Sequence, residues 1–153
     1  MANGTRRRPC QISRNLACEA LERRHLLASG VHISEFLAAN GAGITDQDGD
    51  HSDWIEIRNS SGATVDLSNW SLTDDDDEPS KWGFPNISLA PGEELLVFAS
   101  GKDRAVAGSE LHTNFQLAAE GEYLALVEPD GFTVASSFAP EYPPQRVDVS
   151  YGI

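Results

Sequence analysis

An all-β sandwich of about eight antiparallel strands is the fold this chain predicts, and three observations predict it. Apolar and polar residues alternate over short stretches such as Asp53-Trp54-Ile55-Glu56-Ile57-Arg58-Asn59, the period of a strand with one buried face. Clusters of Gly, Pro, Asn and Asp separate these stretches. Past residue 30 no long segment carries a helical period.

The chain begins with a basic part, residues 1–30. Residues 1–13 are polar and include Arg6-Arg7-Arg8. Residues 14–28 suit one short helix, with Leu16, Ala20 and Leu27 near one face, or else a disordered segment. It lacks the continuous apolar run of an ordinary signal peptide. The body, residues 31–153, opens with a strand from Val31 to Ala39, broken at Asn40-Gly41-Ala42-Gly43. Asp53 to Asn59 and Thr64 to Asp74 follow, separated by Ser60-Ser61-Gly62. Trp82 to Leu89 contains Pro85 and reads as an edge strand. Pro91-Gly92 places proline and glycine at the centre of a type II turn. Glu94 to Ser100 is apolar on both faces, as a central strand is. Phe115 to Ala118, Tyr123 to Glu128 and Phe132 to Phe138 complete the set, with Pro129-Asp130-Gly131 as a hairpin turn. Residues 139–147 read as an extended closing segment. Trp54, Trp70, Trp82, Phe98, Phe115 and Leu126 are the expected buried or half-buried anchors.

Charge divides the chain the same way. The first thirty residues hold six Arg against Glu19 and Glu22. The body holds five Lys/Arg against 22 Asp/Glu, a net of −17. So acidic a surface repels phosphate backbones, which excludes nucleic acid as an expected partner. No apolar run approaches the length that spans a bilayer. Both cysteines, Cys10 and Cys18, fall in the basic part and read as unpaired thiols.

The motifs Asp53-Trp54-Ile55-Glu56-Ile57-Arg58-Asn59, Lys81-Trp82-Gly83-Phe84-Pro85, Leu89-Ala90-Pro91-Gly92-Glu93, Phe98-Ala99-Ser100-Gly101-Lys102, Leu111-His112-Thr113-Asn114-Phe115 and Asp148-Val149-Ser150-Tyr151-Gly152 occur in the order of one family. The chain resembles the bacterial branch of the lamin-tail domains. That resemblance implies an immunoglobulin-like sandwich over residues 31–153, a module at the front of a larger protein, and no catalytic role. Leu21-Glu22-Arg23-Arg24-His25-Leu26-Leu27 is similar to the LEPR-x-L-L segment of bacterial surface proteins, with Arg23 in the place of proline. The two resemblances together imply an extracellular or cell-surface location.

Two acidic loops are the candidates for chemistry. In Asp46-Gln47-Asp48-Gly49-Asp50-His51-Ser52-Asp53, alternate carboxylates surround a glycine turn. Asp46, Asp48, Asp50 and Asp53 are the candidate metal ligands, and Ca2+ is the cofactor this oxygen chemistry suits. The same residues make turns without any ion. The adjacent carboxylates of Asp74-Asp75-Asp76-Asp77-Glu78 repel one another, which favours an exposed loop. His25, His32, His51 and His112 have no zinc-type spacing. His112 reads as a hydrogen-bonding residue of a loop or strand edge. No nucleophile elbow, phosphate loop or dinucleotide fingerprint is present. The expected function is therefore a non-catalytic binding or spacing module, stabilised by calcium, whose partner is a protein or a surface polysaccharide. The alternative is a calcium-dependent extracellular enzyme, or its remnant, with chemistry in the acidic loops.

Overall fold

The computed structural model describes residues 30–153, and all its regular structure is β. The helix or disordered segment expected before the body lies outside the described residues, as do Cys10, Cys18 and the sorting-type motif. The central sheet is built on the long alternating strands. β1 (Val31–Leu37), β2 (Asp53–Asn59) and β7 (Glu94–Ala99) pair antiparallel, with β11 (Tyr151–Gly152) beyond β1 and β8 (Leu111–His112) beyond β7. Ile33 lies opposite Ile57 and Phe36 opposite Ile55, across a bulge at Ser34. These inward residues meet a second sheet of β10 (Val134–Phe138), β9 (Leu124–Val127), β4 (Ser71–Thr73) and β5 (Trp82–Gly83). Between the sheets Phe36 packs edge-on to Phe138 at 5.0 Å and against Tyr142 at 4.6 Å. The result is the immunoglobulin-like sandwich expected.

The strand bounds shift where turn chemistry overrides pattern. Thr64 to Asp74 is two strands, β3 (Val65–Asp66) and β4, because Trp70 N–H bonds Leu67 O at 3.0 Å and Asn69 turns left-handed at φ 68°. Pro85 lacks the N–H to continue a ladder, so Trp82 to Leu89 splits into β5 and β6 (Ser88–Leu89). β6 pairs with β3 as a separate ribbon. Phe115 to Ala118 forms no strand; only Ser100 and Gln116 make an isolated bridge there, and Leu111–His112 takes the edge instead. That β8 edge runs parallel to β7, so the sheet is not wholly antiparallel. Pro91-Gly92 does make its turn, with Glu93 N–H on Ala90 O at 3.0 Å and Gly92 at φ 77°.

Trp70, Trp82, Phe115 and Leu126 join the central core, but Trp54 does not. Trp54 is half-buried and pairs with Phe98 in the ladder between β2 and β7. Phe98 in turn stacks on His112 at 5.4 Å. Trp54 and Phe98 lie on the face of the sheet opposite to Ile55 and Val97, outside the central cluster.

Gly30 belongs to the fold, since its carbonyl accepts the Ser60 N–H at 2.7 Å. Removing residues 1–29 is expected to leave the melting transition nearly unchanged. A cooperative transition lost on that deletion would make the basic segment part of the core.

Candidate functional site

The loop between β1 and β2 is organised around one buried carboxylate. Asp46 Oδ1 accepts the N–H groups of Asp48 at 3.0 Å and Asp50 at 3.1 Å. Its Oδ2 accepts the Ser52 hydroxyl at 2.8 Å. Gly49, at φ 85°, lets the chain reverse so that its N–H reaches Asp46 O at 2.9 Å. The turn thereby presents Asp46, Asp48 and Asp50 together, with ligand oxygens that can converge on one cation.

A cation of the protein's own sits among them. Lys102, two residues past Ser100 at the end of β7, places Nζ 2.6 Å from Asp46, 2.8 Å from Asp48 and 2.9 Å from Asp50. Arg104 adds a second contact to Asp48 at 2.8 Å. Burial alone raises the Asp46 carboxyl, but Lys102, Ser52 and the loop N–H groups outweigh it. They hold the acid far below the usual carboxylate range. Partial desolvation lowers Lys102, yet its three carboxylates hold it well above an ordinary lysine.

Asp53 stands apart from this group. Its Oδ1 accepts the Asn40 N–H at 2.9 Å, and burial raises its carboxyl above the usual range despite that bond. Three of the four expected ligands are therefore brought together, and the fourth is used to fasten the start of the loop. His51 is exposed beside it.

The second acidic loop is held separately. Thr73 Oγ1 donates within this loop and receives the Asp75 N–H at 3.0 Å. Lys81 pairs with Asp74 at 2.7 Å. Asp75, Asp76 and Asp77 form their own potential cation group, distinct from the first.

Ser100, Lys102, Arg104 and Glu110 also join the site, though no ligand or catalytic spacing marks them in the sequence. Ser100 Oγ lies 2.9 Å from His112 Nδ1, and His112 Nε2 lies 3.9 Å from Glu110. The order resembles a serine–histidine–acid relay, but its geometry is that of a brace. His112 is fully buried, and burial lowers its pKa, so the ring is neutral at physiological pH. The N–H of Lys102 is spent on Ser100 Oγ at 3.2 Å and that of Gly101 on Phe115 O at 3.0 Å. No adjacent pair of donors remains there to stabilise an oxyanion. A polar cleft of about 320 Å³ runs past Ser100, lined also by His51, Asp53, Lys102 and Gln116.

A family model described as Lamin Tail Domain matches residues 27–139, well over half of the chain. No curated protein matches it. Among the described residues no helix is long and apolar enough to cross a membrane.

Proposed function

The chain belongs to the lamin tail domain family, and from that premise we propose that it is a non-catalytic binding or spacing module of a larger bacterial protein, working outside the cell or at its surface. The observation that carries this reading is that the carboxylates of the first acidic loop are paired with the protein's own cations. Lys102 and Arg104 offset most of that loop's charge, and His112 is fully buried against Phe98. The acidic surface, with a net of −17 over residues 31–153, supports a partner other than nucleic acid.

The enzyme alternative places its chemistry in the acidic loops, where Asp50, His51 and Asp53 line the polar cleft beside Ser100. Screening the purified chain against esters, glycosides, phosphoesters and peptides separates the two. Background rates are expected throughout. Activity abolished by Ser100→Ala would overturn the module reading.

Calcium enters as a competitor of Lys102 for Asp46, Asp48 and Asp50. An ion that binds only the folded chain raises its stability with concentration. Millimolar calcium is expected to raise the melting temperature above that in chelator. Asp48→Asn with Asp50→Asn is expected to abolish the rise, and changes at Asp75 and Asp76 to leave it. A melt indifferent to calcium would remove the ion from this reading.

A further inference from the structure

We propose that the β11 edge of the central sheet binds an extended peptide in which basic and apolar residues alternate, added antiparallel as a further strand. Among the described residues no strand pairs with the far side of β11. Ile153 N–H turns inward to Ser34 O at 3.1 Å. The alternation of a strand then turns the N–H and C=O of Gly152 outward, as a donor and acceptor for an incoming chain.

The two faces beside this edge differ in chemistry. On the outer face a trough of about 560 Å³ runs from Gly152 past Glu35 and Glu56 to Arg58 and Glu94. Arg58 is already paired with Glu94 at 3.1 Å, so the trough is left acidic. On the other face a mostly apolar groove of about 280 Å³ is lined by Pro143, Pro144, Val149 and Tyr151, with Gln145, Arg146 and Ser150 at its polar part. Val149 is 53% exposed and Tyr151 38%. A strand laid on β11 sends alternate side chains to these two faces, basic to the trough and apolar to the groove. Main-chain bonds to the edge supply affinity and the alternation supplies selectivity. The charge complementarity with a body this acidic selects a cationic partner.

The proposal deepens the binding-module reading by naming the partner's chemistry. Its failure leaves the activity screen untouched, so the two fail separately. The test is fluorescence anisotropy of the full chain with a labelled, capped peptide of alternating lysine and valine. The residue facing Gly152 shares its outer face and is a lysine. N-methylation of the lysine amides is therefore expected to weaken binding at least about tenfold, and N-methylation of the valine amides to leave it. Glu56→Gln with Glu94→Gln is expected to weaken it by a similar factor while the melt is unchanged. Equal binding of a scrambled peptide, or indifference to both methylation patterns, would reduce the effect to general attraction and overturn the proposal. A dimer that dissociates on dilution and excludes the peptide would overturn it too, by giving the edge to a second copy.

Discussion

Replacing Trp70 by alanine is expected to lower stability by about 3–5 kcal/mol, the range for a large buried aromatic whose cavity cannot collapse. Trp70 is 4% exposed and stands where β3 gives way to β4. Its N–H closes the turn on Leu67 O, and its carbonyl accepts the Phe84 N–H at 2.9 Å, so the ring is fixed at both backbone groups. Phe84 packs in turn on Trp82 at 5.1 Å. Domains of this kind are stable by about 5–15 kcal/mol, so the loss is a large share of the whole. Trp54→Ala is expected to do less harm, because that ring is half-buried outside the central cluster. Urea unfolding checks both, read as a shifted midpoint at unchanged slope. A loss at Trp54 equal to that at Trp70 would mean that the outer layer bears on stability as the core does.

The contrast between these tryptophans shows what the sequence carries. Period-two alternation marked β2, and short apolar runs bounded by turn residues marked β7 and β9, because the first has one buried face and the others are covered on both. It could not separate Trp54 from Trp70, since alternation tells that a side chain faces away from its neighbour but not which layer receives it. Nor could it find the break at Leu67–Trp70, where a local turn bond overrides the strand pattern. The acidic loop was legible through its own composition, and Asp46, Asp48 and Asp50 do converge. Lys102 was not, because it lies more than fifty residues away along the chain and reaches the loop only through the neighbouring positions of β2 and β7. One signal was available. The body has five Lys/Arg among 22 acids, and four of the five, Arg58, Lys81, Lys102 and Arg104, pair with carboxylates. Where cations are so scarce, each is apt to be claimed by a fold that must relieve its own repulsion.

Lys102→Met is the sharpest test of that relief. Methionine keeps most of the stem's length and removes the ammonium. Asp46, Asp48 and Asp50 then face one another with only Arg104 beside them, and Asp46 is a buried charge without its main partner. Removing one member of such a group destabilises more than the pair itself contributes, because the remaining charge stays desolvated. The pH dependence gives the direction a second check. In the native chain Asp46 is depressed, so its contribution is present above the usual carboxylate value of about 4 and is lost only as pH falls well below it. Lys102 is raised, so its contribution is present below the usual lysine value of about 10.4 and is lost as pH rises beyond that. Between these limits the cluster's contribution to native stability is flat. In Lys102→Met, Asp46 and Asp48 lose a partner that lowers them and rise from their native values, so protonation in acid costs the variant less. The gap in melting temperature between native and variant is therefore expected to be widest near neutral pH in chelator and to narrow toward about pH 4. Millimolar calcium is expected to narrow it as well, by a larger step than it gives the native chain, since the ion no longer displaces an ammonium. A variant that melts with the native chain at neutral pH, or that gains nothing from either acid or calcium, would show that Lys102 merely rests on the loop's surface.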